Sequence, residues 1–187
     1  MKILFDTCVL YPTVMREMLL GTAEIAGLTP FWSERILEEW ARAARKLGPT
    51  GETQARGEIA LLRSQWPNAE ITWPPSLEAR LWLPDENDCH ILAAAIASSA
   101  DLIVTLNRKD FPRAILRKEG VDRIDPDVLL MQFIEKHGPE MTTFAKNLTV
   151  QAITLSGQSW NTLALLKKAR LPRLAKALLR QSNANNT

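Results

Sequence analysis

Two kinds of apolar pattern alternate along the chain: short unbroken runs, which read as buried strands, and stripes of helical period. The first run is KILFDTC (2–8), and its apolar stretch ends at Asp6. Beyond the break at Pro12, VMREMLLGTAEIAGL (14–28) carries a helical stripe. FWS (31–33) is short and apolar, and Ser33 before Glu34 is an N-cap signal for the helix SERILEEWARAARKLG, which Gly48 ends. GPTGET (48–53) reads as a loop, GEIALLRSQWPN (57–68) as a helix stopped at Pro67-Asn68, and AEITWPP (69–75) as a short strand. Asp88 opens the helix CHILAAAIASSA (89–100), which feeds a second buried strand, DLIVTLN (101–107), and the loop NRKDFP. GVDRIDP (120–126) holds a last short strand, and PDVLLMQFIEKHG (126–138) is a helix with Pro126 in its first turn.

Helices alternating with short apolar strands predict an α/β fold of three layers, α/β/α, around a central, mostly parallel sheet. The first domain is expected over residues 1–137. Residues 138–187 form a C-terminal helical extension of two amphipathic helices (139–157 and 159–181), with Pro172 kinking or dividing the second and QSNANNT as a disordered end.

Composition adds one asymmetry. Residues 1–138 hold 16 Lys+Arg against 20 Asp+Glu, whereas residues 139–187 hold 7 against 1. A basic tail on an acidic body suits a polyanion or an acidic partner near the tail, or simply a solvated basic face over a leucine core. No stretch approaches the roughly 20 apolar residues of a membrane span. The N-terminal run is interrupted by Asp6 and does not read as a signal peptide, so a cytoplasmic location is the expectation. Cys8 and Cys89 make no disulfide framework, and with His90 and His137 they lack zinc-ligand spacing.

The candidate chemistry lies in carboxylates. In an open α/β sheet, ligands bind beyond the carboxyl ends of the strands. Asp6 ends the first strand, Asp110 lies just past the end of DLIVT, and Asp88 begins the helix that feeds that strand. Glu39 shares a helix face with Ile36 and Ala43, although Glu38 competes for the same part. A carboxylate on an apolar face costs several kcal/mol unless it is paired, and no run of basic residues is placed to pair all four. A divalent cation would, and hard oxygen ligands favour Mg²⁺ or Mn²⁺. Each acid also has a plain reading: Asp88, Asp85 or Glu86 as an N-cap, Asp110 as a turn residue, Glu39 as a solvated helix residue. A phosphotransferase that opens with a strand-end Asp would need a second Asp two residues on, where this chain has Cys8.

ILFDTCVLYP, SERILEEW, DENDCHILAAAIASSADLIVTLNRKDFP and IDPDVLLMQFI together resemble the PIN-domain nucleases, including the ribonuclease toxins of bacterial toxin–antitoxin pairs. The resemblance covers roughly residues 1–135. It implies a metal-dependent endoribonuclease that uses Mg²⁺ or Mn²⁺, with Asp6, Glu39, Asp88 and Asp110 as the catalytic and metal-binding acids. Thr105 and Asn107 would support the pocket, and Arg108 and Lys109 would touch substrate phosphates. RNA, a cognate antitoxin of a type II pair and a second copy of the chain are the partners it implies; a membrane is not among them. Cys8 stands where many relatives carry Asn. The alternative is a catalytically silent PIN-like scaffold that binds RNA or a protein partner.

Overall fold

The computed structural model describes residues 1–184; the last three positions of the expected disordered end, 185–187, lie outside the described residues. Four strands form one sheet: β1 (Lys2–Phe5), β2 (Thr29–Phe31), β3 (Leu102–Val104) and β4 (Asp122–Ile124). They lie in the order β2-β1-β3-β4, and every pairing is parallel. Leu4 pairs with Phe31 on one side and Ile103 on the other, and Val104 pairs with Ile124. The α/β/α class with a parallel central sheet and C-terminal helices holds. Strands of three or four residues suffice because Ile3, Leu4, Phe5, Ile103 and Val104 are fully buried, as in parallel sheets generally.

The packing divides the chain into two compact units, and the division is not a single cut at residue 138. The first unit comprises Met1–Tyr11 and Thr29–Ile124; the second comprises Pro12–Leu28 and the chain from Asp125 onward.

In the first unit the helices are α1 (Thr7–Leu10), α3 (Glu34–Ala43), α4 (Gly51–Gln65), α5 (Pro75–Ala79), α6 (Cys89–Ala97) and α7 (Arg113–Lys118), with 3-10 turns at Ala44–Leu47 and Glu86–Asp88. Ser33 caps α3 by accepting from Ile36 N, as its sequence signal predicts. Two expectations are corrected. The helix expected from residue 57 begins at Gly51, because the 48–53 stretch is a short turn that the helix takes over. The strand expected over 69–75 is a single bridge, Trp32 to Glu70, since Pro74 and Pro75 remove donors a ladder would need.

In the second unit α2 (Thr13–Ala26) packs on α9 (Ile134–Ser156), with α8 (Pro126–Met131), α10 (Thr162–Lys168) and α11 (Pro172–Ala184) completing it. Where two amphipathic helices are expected after residue 138, the described residues form α9, α10 and α11. Pro139 is tolerated in α9 because the helix kinks at His137 (φ −125°, ψ 19°), so the proline falls at the start of a fresh run. Pro172 divides the expected second helix into α10 and α11 and begins the latter: the buried carboxylate of Asp127 accepts from the N–H groups of Arg173 (2.9 Å) and Leu174 (3.0 Å) at its start. Among the described residues no helix is long and apolar enough to cross a membrane.

Candidate metal centre

The first unit assembles the site at the carboxyl edge of the sheet, where β1 and β3 lie side by side. Asp6 directly follows β1, its backbone N–H still bonded to Val104 O (3.2 Å), and its φ of −75° and ψ of 153° turn the chain into α1 as that helix's N-cap. Asp6 is buried. Its Oδ2 accepts from Thr105 Oγ1 (2.5 Å) and from Cys8 Sγ (3.0 Å), and its Oδ1 accepts weakly from Cys8 N (3.4 Å). Thr105, the residue after β3, accepts in turn from Asn107 N (2.9 Å). Asn107 Nδ2 then donates to Asp88 Oδ2 (3.4 Å). A chain of hydrogen bonds therefore runs from Asp6 through Thr105 and Asn107 to Asp88.

Asp88 closes the 3-10 turn ahead of α6. One oxygen each of Asp85, Asp88 and Asp110 lies within 4.8 Å of the others. Burial first, and then the negative charges of Asp6, Asp85 and Asp110, push the Asp88 carboxyl up to about 6. Opposed ligands of a Mg²⁺ ion stand about 4.2 Å apart, twice its bond length of about 2.1 Å, so small side-chain rotations would bring the three oxygens around one ion. The donor set is hard and anionic, which fits a divalent cation.

Of the acids the sequence singles out, the structure brings Asp88 and Asp110 together in this cluster, with Asp6 near enough that its charge acts on Asp88. The sequence gives Asp85 only a capping role. Asp85 does cap the 3-10 turn, accepting from Asn87 N (2.9 Å), and joins the cluster as well. Glu38 and Glu39 separate: Glu38 turns outward to Arg42 (3.0 Å) and Arg56 (3.0 Å), whereas Glu39 faces the site. Glu39 is engaged elsewhere than in the cluster, with Thr7 Oγ1 at 2.8 Å, His90 Nε2 at 3.0 Å and Arg35 Nε at 3.5 Å. Its burial alone would raise its pKa, but His90, Thr7 and Arg35 outweigh that and hold it below the usual carboxylate range. Arg108 and Lys109 are exposed on the turn leading to Asp110.

Thr7, Arg35 and His90, the partners of Glu39, are not among the site residues the sequence points to. A Thr beside the Asp, and a His two residues into an Ala-rich helix, carry no periodic signal of their own. Cys8, read as a replacement for Asn, keeps a place in the network: besides bonding Asp6 it accepts from Leu106 N (3.3 Å). Burial first, and then the Asp6 charge, push its thiol up to about 12.

No curated protein and no solved structure matches the chain. A family model described as PIN domain matches residues 2–109, more than half of the sequence, a span that includes Asp6, Asp85 and Asp88 and stops one residue short of Asp110. With the strand-end Asp6, the Asp88 cluster and the all-parallel sheet already in place, that match settles the kinship: the chain belongs to the PIN-domain family.

Proposed function

We propose that this protein is a metal-dependent endoribonuclease that hydrolyses phosphodiester bonds of RNA in the cytoplasm. We further propose that it acts as the toxin of a type II toxin–antitoxin pair, held in check by a cognate protein partner. PIN domains are typically metal-dependent nucleases, and the observation that carries the reading for this chain is the convergence of Asp85, Asp88 and Asp110 beside the buried Asp6.

In this reading Asp85, Asp88 and Asp110 would hold the ion, and Asp6 would complete the site from the end of β1. When bound, Mg²⁺ or Mn²⁺ supplies a water of lowered pKa and offsets negative charge on the scissile phosphate. Thr105 fixes the Asp6 carboxylate through its 2.5 Å hydrogen bond, so Asp6 has one orientation to offer. Asn107 does the same for Asp88 more loosely, at 3.4 Å. Arg108 and Lys109 directly precede Asp110 on its turn and would meet substrate phosphates.

The test is cleavage of a labelled single-stranded RNA with Mn²⁺ and with chelator, against a DNA strand of the same sequence. The expected result is Mn²⁺-dependent cleavage of the RNA, lost in Asp88→Asn and in Asp6→Asn while both variants stay folded. Undiminished cleavage by either variant would refute the assignment. RNA binding without any metal-dependent turnover would instead favour a silent scaffold. Expression of the wild type should arrest growth of the host cell, and Asp88→Asn should not.

A further inference from the structure

After Glu140 the chain carries seven Lys and Arg and no Asp or Glu. Six of the seven lie close together in the second unit: Lys167 and Lys168 end α10, Arg170 follows in the turn, and Arg173, Lys176 and Arg180 stand on α11. All six are exposed, and among the described residues none is paired with a carboxylate. The first unit treats its arginines differently, setting Arg45, Arg56, Arg63 and Arg80 each against a Glu. We infer that this face of the second unit is a binding surface for the phosphate backbone of single-stranded RNA. The choice of polyanion rests on the reading of RNA as the substrate class.

The cations are presented rather than scattered. At about 100° per residue, Arg173, Lys176 and Arg180 fall within about 60° of one another around α11. The buried Leu174, Ala175 and Leu178 lie on the opposite side, so packing of that side turns the basic stripe to solvent. Seven residues at about 1.5 Å each make the stripe about 10 Å long. Lys168 is held over the ring of Trp160, 4.6 Å from its centroid. Arg170 sits in a left-handed conformation, φ 61°, where its N–H reaches the Lys167 carbonyl (3.1 Å) and the Leu171 N–H reaches that of Leu166 (2.9 Å). Glycine is the usual occupant of such a helix end, since any side chain there strains the backbone. Here the strained position carries a cation, and strain of this kind gathers at functional positions.

The character of the stripe favours phosphates over an acidic protein. Protein interfaces are centred on apolar and aromatic side chains, and lysine is depleted there. Between Arg173, Lys176 and Arg180 no large apolar side chain shares their face of α11. A polyphosphate backbone needs no apolar centre: a line of exposed cations displaces its counterions, and that release drives binding.

The experiment uses the full-length protein and a labelled single-stranded RNA in chelator, so binding is read without metal or cleavage. Fluorescence anisotropy gives the Kd across a salt series for wild type and for the triple variant Arg173→Gln, Lys176→Gln, Arg180→Gln. At about −0.7 per neutralised phosphate, six cations predict a slope of log K against log[salt] near about −4 for wild type, and about −2 for the triple variant. The two lines should converge near about 1 M salt, which makes the variant's Kd about 100-fold higher at about 0.1 M. Its melting temperature should not move, because the three side chains are exposed and Asp127 holds the backbone of Arg173, not its guanidinium. With Mn²⁺ added, KM should rise while kcat stays within about 3-fold of wild type. A triple variant with wild-type affinity and slope overturns the inference, and so does a wild-type slope shallower than about −2. Polyglutamate of equal length displacing the RNA as well as unlabelled RNA does would mark a dock for an acidic protein, and also overturns it. If the slopes are as expected but wild type shows no Mn²⁺-dependent cleavage, the surface stands and the endoribonuclease reading fails.

Discussion

Asp88 carries the residue-scale chemistry that pH can report. Its folded-state pKa of about 6 stands above the ordinary Asp value of about 3.9. The metal-free folded protein therefore holds this proton more tightly than the unfolded chain does. The group costs no stability below about pH 4, and stability is lost as pH rises from there through about 6. In chelator, Asp88→Asn should melt higher than wild type at pH 7.5, with the gap closing towards pH 4; thermal melts across that range check it. Added Mn²⁺ should reverse the order at pH 7.5, since a ligand that binds only the folded state stabilises the protein that can bind it. Cys8 gives a second residue-scale prediction. With its thiol pushed up to about 12, it is protonated at pH 8 and should react with iodoacetamide far more slowly in the native protein than after denaturation. Mass spectrometry of a time course would show this, and rapid native alkylation of Cys8 would contradict it. Asp6, Asp88 and Asp110 were legible because strand ends and helix starts are marked in sequence. Glu38 and Glu39 were not separable, because neighbours on a helix lie about 100° apart and the apolar stripe is wider than that. His90 was hidden by an α6 that is apolar on every side.

Elements were legible wherever one pattern ran long enough. α1 was not, because ILFDTCVL reads as one apolar run and only the capping geometry of Asp6 turns half of it into helix. α7, six residues long and rich in Arg and Lys, has too few apolar positions for a stripe. Two glycines of α4 show how differently one residue type serves within one element. A methyl group on Gly51 would strike the Ala44 carbonyl oxygen, which belongs to the backbone and has little room to yield. Gly51→Ala should therefore cost about 1–3 kcal/mol. Gly57 is exposed and has nothing near its Cβ direction, so Gly57→Ala should add about 1 kcal/mol through helix propensity alone. Urea unfolding of both variants checks the opposite signs. At the start of α11, Asp127→Ala would leave two backbone N–H groups without their acceptor and should lower stability by about 2–3 kcal/mol in the same assay.

At the scale of the whole molecule, the alternation of helices and strands pointed to the parallel sheet. It could not reveal that Pro12–Leu28 packs with the C-terminal helices, since helical period states that a face is buried but not against what. The charge contrast between residues 1–138 and 139–187 is a property of sequence segments, and the packing units cut across it. One prediction follows from the division. A chain ending at residue 137 keeps α2 but loses most of α9, on which α2 packs, leaving part of the buried face of α2 without its cover. It should be insoluble or should bind a hydrophobic dye strongly, and a well-folded soluble product would contradict the division.

The same discontinuity sets a timetable during synthesis. α2 leaves the ribosome early, yet the helix it packs against begins only at Ile134, more than 100 residues later. At about 5–20 residues per second, its apolar face waits on the order of 5–20 s for its mate. For that interval the nascent chain offers a ready target to any holdase that recognises exposed leucine and methionine.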